Sequence, residues 1–133
     1  MNEVQREAEK WMKKAGNDLR TASAALALED PPTDTACFHC QQCAEKCLKA
    51  FLTHQGRHVE RTHDLPRLLK ECSDFDVDFD NFHEAAHQMN SYAVAIRYPD
   101  EEMTIGFGEA EEAFKTARDL FSFVKARLAD PTS

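Results

Sequence analysis

The sequence lacks a hydrophobic run of about 18 residues, the length that a helix needs to cross a membrane. Its amino-terminal segment also lacks the apolar core of a secretory signal peptide, because charged residues interrupt every apolar stretch there. We therefore expect a cytoplasmic protein without a membrane partner. The 133 residues predict a single domain over residues 1–133, which is long enough to bury about two-thirds of the unfolded surface.

Glycine is also scarce, with four residues in the chain. P-loops and Rossmann fingerprints need closely spaced glycines to bring the backbone up to a phosphate, and neither motif is present. The Gly106-Phe107-Gly108 stretch is too short to cradle a phosphate by itself. A serine nucleophile elbow is absent as well. The lack of these motifs therefore predicts no catalytic residue and no cofactor.

Positive charge is in the minority, since the formal net charge is −8. We do not expect duplex DNA as a partner, because domains that bind it are usually basic overall. The exception is residues 46–70, whose cations are Lys46, Lys49, Arg57, Arg61, Arg67 and Lys70. This basic quarter suits a phosphate-bearing ligand or an acidic partner surface, although lysines that merely keep a helix soluble give a similar pattern.

Cysteine is concentrated in one segment. Four of the five cysteines are Cys37, Cys40, Cys43 and Cys47. An odd number of cysteines, four of them on one helical face, does not form a secreted disulfide framework, which agrees with a reducing compartment.

The cysteine spacing C-x2-C-x2-C-x3-C matches the run that bacterial ferredoxins use to bind iron–sulfur clusters. The same cysteines also fall on the apolar stripe of a helix, with Ala44, Leu48 and Phe51. A straight helix spreads the thiols along about 15 Å, whereas a cluster needs them to converge. We therefore interpret the cysteines as small core residues and predict no metal site there.

The opposite face of this helix carries His39, Gln42, Lys46 and Lys49. These side chains project together over about two and a half turns, and they suit an anionic ligand. An ordinary solvated face has the same composition, so both interpretations stay open.

Apolar residues at spacings of three and four predict helices over about 3–28, 79–95 and 109–129. A further helix ends near His54 and is capped by Thr33 or Asp34, and a short one covers about 62–72. The alternating Asp, Phe and Val residues of 73–80 form an acidic loop in this interpretation, because an isolated strand has no partner. The prediction is an all-α, up-and-down helical bundle of four long helices and one short helix.

A literal H-E-x-x-H motif lies at residues 83–87. In zinc hydrolases its two histidines bind the metal and its glutamate acts as general base. Catalysis also needs a third ligand, which Glu109, Glu111 or Glu112 would have to supply, and the zincins add a substrate-aligning sheet. An all-α chain has no such sheet, so we interpret the match as accidental and predict no metal.

Three groups of residues carry a more specific resemblance. In chain order they are Phe38-His39-x-Gln41-Gln42-x-Ala44-Glu45-Lys46-x-Leu48-Lys49-Ala50, Arg61-Thr62-His63-Asp64-Leu65-x-x-Leu68-Leu69 and Tyr92-x-x-x-x-Arg97-Tyr98-Pro99-Asp100. Over nearly its whole length, the chain resembles the HEPN family, the higher eukaryote and prokaryote nucleotide-binding domain.

The resemblance implies an up-and-down helical bundle that is often a homodimer. It also implies binding of a nucleotide or RNA. Many prokaryotic members are encoded beside a minimal nucleotidyltransferase and form a toxin–antitoxin pair with it. We therefore expect such a nucleotidyltransferase as the protein partner.

The toxic members of the family are metal-independent ribonucleases with Arg-x4-6-His late in the chain, and this sequence has no histidine after Arg97. Arg57 and His63 have that spacing, but they lie in the loop before the predicted third helix and at the start of that helix, which is the wrong place for the motif. Such an enzyme needs an imidazole to move a proton and an arginine to stabilise phosphate charge. We therefore favour a binding protein over an enzyme. The alternatives are a ribonuclease that uses Arg57 or Arg61 with His63, or a composite site across a dimer, and a structural dimer or adaptor without a ligand.

On this resemblance we expect a phosphate site formed by the second helix and the two long loops. The candidate residues are Gln42, Lys46, Lys49, Arg61, His63, Asp64, Arg97 and Tyr98. The lysines and arginines would contact phosphate, Gln42 and His63 would donate hydrogen bonds, and Tyr98 would stack on a base or orient Arg97. Asp64 would fix His63 or start the third helix. Alternatively, the charged loop residues only tie the loops to the bundle by ion pairs.

Overall fold

The computed structural model describes residues 1–94 and 104–129. Those ranges contain helices and no β-strand, which confirms the all-α class. The α-helices are α1 (Glu3–Leu26), α2 (Thr33–His54), α3 (Leu65–Ser73), α4 (His83–Met89) and α5 (Phe107–Ala129). Two 3-10 helices span Val77–Phe82 and Asn90–Ala93. Within the same ranges, no helix combines the length and the apolar character needed to span a bilayer.

Helix α1 begins with a capping box. The Asn2 side chain accepts a hydrogen bond from the Gln5 backbone N–H, and the Gln5 side chain accepts one from the Asn2 N–H, both at 2.8 Å. Two amides that have no partner within the helix are thereby satisfied. After the helix, Asp30 adopts a φ of 51° just before Pro31. This short turn lets α2 run back along α1.

The prediction that Thr33 or Asp34 caps α2 is wrong. Pro32 is the N-cap residue, and it makes no side-chain capping hydrogen bond. The helix therefore already includes Thr33, whose hydroxyl donates to the backbone carbonyl of Ile105 at 2.8 Å. This contact fastens the start of α2 to the segment that leads into α5.

Helix α2 lies at the centre of the bundle, where α1, α3 and α5 all pack against it. Its cysteines are fully buried in one core cluster with small residues of α1 and α5, such as Ala22 and Ala117. Small side chains let helix axes approach closely. The prediction that the cysteines are core residues is confirmed.

We expect the five cysteines of the folded protein to react with a thiol reagent at about pH 8 at least about 100-fold more slowly than those of the unfolded chain. Burial raises the pKa of Cys37 to about 11 and that of Cys40 to about 12. Burial also raises the pKa of Cys47 and Cys72, so little of the reactive thiolate is present. Release of thionitrobenzoate with and without guanidinium measures both rates, and one rapidly reacting thiol in the folded protein would contradict the expectation.

An aromatic cluster fills the core beside the last turn of α2. The Phe79 ring packs edge to face against Phe51 and Phe123, with centroid distances of 4.6 Å and 4.8 Å. Phe82 packs against Phe123 as well, at 5.4 Å. Phe79 and Phe82 therefore point to the same side, as residues three apart do in a 3-10 helix.

This packing explains why the fourth predicted helix differs from the structure. The prediction was one helix over about 79–95, but within residues 79–94, which the structure describes, only His83–Met89 is α-helical, and a 3-10 helix flanks it on each side. The Asn90 side chain accepts a hydrogen bond from the Leu65 N–H at 3.1 Å, at the start of α3. Tertiary contacts at both ends thus compete with a continuous α-helix.

Candidate functional site

The interface between α1 and α2 contains a buried carboxylate. Asp18 lies on the same stripe of α1 as the core residues Ala15 and Ala22, so its side chain faces α2. Its oxygens accept hydrogen bonds from His39 Nδ1, at 2.9 Å, and from Lys46 Nζ. A carboxylate away from water needs such partners, because an unpaired buried charge is costly.

A second carboxylate, Glu45, lies on α2 and is 3% exposed. It accepts hydrogen bonds from Lys49 Nζ at 2.9 Å and from His63 Nδ1 at 2.8 Å. Lys49 is 5% exposed, and its ammonium also lies 5.6 Å from the centroid of the Trp11 ring on α1. Glu45 thus links the interior of the bundle to the loop before α3.

The His63 side chain is 70% exposed even though one of its nitrogens is held by Glu45. Because a carboxylate oxygen only accepts, Nδ1 of His63 carries the proton of this hydrogen bond. In the neutral ring, Nε2 is then the nitrogen that can accept a hydrogen bond, and it belongs to a side chain that is mostly exposed to solvent. Such an imidazole can take a proton or, once protonated, donate a hydrogen bond to an anion.

Side chains of α2 and α3 also fix the backbone around His63. Gln41 Nε2 donates to the His63 carbonyl at 3.3 Å, and Gln42 Nε2 donates to Gln41 Oε1 at 2.7 Å. Asp64 is the N-cap of α3 and accepts from the Arg67 N–H at 3.2 Å. Asp64 therefore performs one of its two expected roles, that of starting the helix.

The polar side of α2 is less open than expected. Lys46 and His39 are only partly exposed and Lys49 is buried, because α1 covers this side and supplies Asp18 as a partner. The structure brings Gln42, Lys46, Lys49 and His63 into one region, but mainly as a hydrogen-bonded layer. The expectation of an exposed cationic face is corrected accordingly.

The loop between α2 and α3 carries the remaining candidates. Arg61 is exposed and forms no ion pair with any residue in 1–94 or 104–129. Arg67, in contrast, pairs with Glu60 at 2.6 Å. Arg97 and Tyr98 lie outside the described residues.

Known proteins share both the sequence pattern and the fold of this chain. Residues 8–127 match the HEPN domain. The chain belongs to the HEPN family. No curated protein matches it.

Two crystal structures are similar to this HEPN domain. TT1696 from Thermus thermophilus is 33% identical, with a TM-score of 0.76 over 90% of this chain and 96% of that one. ST0689, an archaeal HEPN homologue, is 28% identical, with a TM-score of 0.70 over 96% of this chain and 99% of that one. The expected family and its helical bundle are therefore confirmed.

Sequence reasoning missed three contributors to the polar layer of this HEPN domain, which are Asp18, Glu45 and Trp11. The position of Asp18 could have indicated its role, because it lies on the apolar stripe of an amphipathic helix. A carboxylate is rarely buried without a cationic partner. Glu45 and Lys49 have the i, i+4 spacing of a helical ion pair. No local pattern indicates that Trp11 covers Lys49, because the two lie on different helices.

The H-E-x-x-H stretch lies on α4, where the rings of His83 and His87 are exposed and 4.7 Å apart between centroids. Glu109, a third ligand available in principle, accepts the hydrogen bond of the Tyr92 hydroxyl instead. Across residues 1–94 and 104–129, no three histidine, cysteine or acidic side chains come together as a metal site.

Proposed function

We propose that this HEPN protein binds the phosphate of a nucleotide or of an RNA strand at the surface around His63. The observation that carries the proposal is the exposed His63 ring, whose Nδ1 is held by the buried Glu45. Arg61 lies two residues earlier and is exposed. An imidazole of fixed orientation and a guanidinium close to it in the chain provide the charge-assisted hydrogen bonds that phosphate oxygens accept.

The residues of α2 contribute to this site in different ways. Lys46 is partly exposed and is paired with Asp18, so it contributes to the site as part of the hydrogen-bonded layer. Lys49 is too buried for direct contact, so it supports the site by holding Glu45. Gln42 acts through Gln41, whose amide donates to the His63 carbonyl.

The other candidates keep the roles that the family resemblance implies. Arg97 contacts phosphate, and Tyr98 stacks on a base or orients Arg97. Asp64 contributes by starting α3, which sets the end of the loop that carries Arg61 and His63.

We also propose that the protein works in the cytoplasm as a homodimer, together with a minimal nucleotidyltransferase in a toxin–antitoxin type of pair. Family membership over residues 8–127 supports this proposal. The basic quarter at residues 46–70 of an otherwise acidic chain supports an acidic partner surface or a phosphate ligand.

One observation favours a second candidate function, a metal-independent ribonuclease. Glu45 and His63 form a carboxylate–imidazole pair like those that orient a general base. Nε2 would take the proton of a ribose 2′-hydroxyl, whose oxygen would then bond to the adjacent phosphorus. The bond from phosphorus to the 5′-oxygen would break, and that oxygen would take a proton from water. Arg57 or Arg61 would stabilise the phosphate charge.

Arg61→Ala is expected to weaken the binding of a short single-stranded RNA about tenfold, since it removes a hydrogen bond between charged groups that solvent partly screens. The slope of log K against log salt concentration should fall by about 0.7, which corresponds to one lost phosphate contact. Fluorescence anisotropy over a series of salt concentrations measures both quantities.

Arg118→Ala is the matched control, because Arg118 is also an exposed arginine but lies on α5. It should leave affinity and slope nearly unchanged. Equal losses of RNA affinity in Arg61→Ala and Arg118→Ala would mean that only the net charge of the protein matters. A wild type that binds no RNA would favour the structural adaptor. The same RNA on a denaturing gel tests the second candidate: cutting that His63→Ala abolishes supports a ribonuclease, and an intact strand argues against it.

A further inference from the structure

A groove opens between the first half of α1 and the last half of α5. The two helices are in contact near Gly16, where an added Cβ would lie 3.6 Å from the Phe121 ring. Toward the start of α1 they leave a cavity of about 930 Å³, with Met12, Phe121 and Leu128 among the residues that line it. These side chains give the groove an apolar floor.

The rim of this groove is basic, in a chain with a net charge of −8. Its lining includes the cations Arg6, Lys10, Lys13 and Lys125, together with the carboxylate Glu9. Lys13 and Lys125 are exposed, and neither forms an ion pair within the part of the chain that the structure describes. An occupant that combines apolar side chains with negative charge would complement both floor and rim.

The chain itself presents such a surface at residues 74–78. There Phe75 is 47% exposed and Val77 is 70% exposed, and they alternate with Asp74, Asp76 and Asp78. Two neighbouring exposed apolar side chains with a polar rim have the composition of a small interaction surface. We call residues 74–78 the acidic segment.

The acidic segment and the groove lie on either side of the end of α5. Arg127 donates to Asp76 at 2.6 Å and to Asp78 at 2.9 Å, which ties the segment to this helix. The neighbouring residues Lys125 and Leu128 line the groove. In a two-fold dimer, a contact between the groove of one copy and the acidic segment of the other occurs twice.

We propose that a second copy of this chain occupies the groove, with Phe75 and Val77 of its acidic segment on the apolar floor and Asp74 near the basic rim. The contact occurs twice in a closed dimer. This interface rests on the homodimer of the proposed function and specifies which surfaces form it. Two copies with a net charge of −8 each repel one another in most orientations, and this arrangement places Asp74, which Arg127 does not bind, beside the basic rim of the other copy.

Sedimentation velocity of the full chain at micromolar concentrations tests the interface. The wild type should be a dimer. Val77→Ser and Lys125→Glu should each raise the Kd of dimerisation about tenfold or more, as expected for loss of an apolar anchor or reversal of a charge at an interface. Leu28→Ser and Lys115→Glu are the matched controls, since both residues are exposed and lie outside the groove and the acidic segment. The controls should leave the Kd unchanged.

A charge exchange provides the sharper test. Asp74→Lys should weaken the dimer, whereas Asp74→Lys combined with Lys125→Glu in one chain should restore much of it, because both charges of each contact are then reversed. If the Kd of dimerisation is the same in all these variants, the proposed interface is wrong, but the homodimer remains. If the wild type is a monomer, both the interface and the homodimer are wrong. Binding of RNA, and its loss in Arg61→Ala, is measured separately and does not depend on either outcome.

Discussion

Glu45→Ala is expected to lower the free energy of unfolding by about 3–5 kcal/mol, the range for removing one partner of a buried ion pair. The substitution leaves the Lys49 ammonium without its carboxylate in a site where Lys49 is 5% exposed. His63 loses its interior hydrogen-bond partner at the same time. Equilibrium unfolding in urea, followed by circular dichroism, measures the change.

Two further variants separate this ion-pair effect from other causes. Glu111→Ala removes an exposed glutamate from α5 and should change stability by less than about 0.5 kcal/mol. Glu45→Leu with Lys49→Met replaces both charges by apolar groups of similar size, so it should recover at least about half of the loss. A cost below about 1 kcal/mol for Glu45→Ala would mean that Lys49 finds another partner or reaches water.

Phe79→Ala is expected to lower the free energy of unfolding by a similar amount, about 3–5 kcal/mol. Phe79 is fully buried, and its ring packs edge to face between Phe51 and Phe123. The substitution removes a large buried apolar surface and leaves a cavity that this well-packed region fills only in part. Phe79 also lies in the 3-10 helix before α4. The folded Phe79→Ala variant should therefore show a weaker helical circular dichroism signal than the wild type, before any urea is added.

Phe107→Ala is the matched control for Phe79→Ala, because Phe107 is a half-exposed phenylalanine at the start of α5. It should cost less than about 1 kcal/mol. Phe79→Leu keeps most of the buried volume and should cost clearly less than Phe79→Ala. Equal losses for Phe79→Ala and Phe107→Ala would contradict the role of the aromatic cluster.

The Glu45 and Phe79 sites stabilise different parts of the bundle. Glu45 acts at the interface of α1 and α2 and positions His63 at the surface. Phe79 connects α2 to α5 through its ring contacts with Phe51 and Phe123. Substitutions at Glu45 are therefore expected to affect both stability and ligand binding, whereas those at Phe79 act on the fold.

Local patterns were sufficient to predict most of the helices. The apolar spacing in the sequence predicted α1, α3 and α5 to within a few residues at each end. The cysteine run was predicted as a buried helical stripe from its periodicity alone, and all of those thiols are buried. These features depend on residues that are close in sequence, where helical geometry determines which side chains share a face.

The fourth helix and the start of α2 were not predictable in the same way. Phe79 and Phe82 select a 3-10 conformation because both pack against Phe123, which comes much later in the chain. Thr33 donates to the Ile105 carbonyl, 72 residues away, instead of capping its own helix. Contacts between residues that are this far apart in the sequence cannot be predicted from local sequence patterns.

By itself, the sequence determined the all-α bundle, the burial of the cysteines and the HEPN resemblance, since each of these follows from helical spacing or from ordered motifs. The tertiary structure alone decided which charged residues meet across different elements. Lys46 meets Asp18, 28 residues before it, and Glu45 meets His63, 18 residues after it. Which charges become neighbours depends on how the helices pack, because packing brings together residues that are remote along the chain.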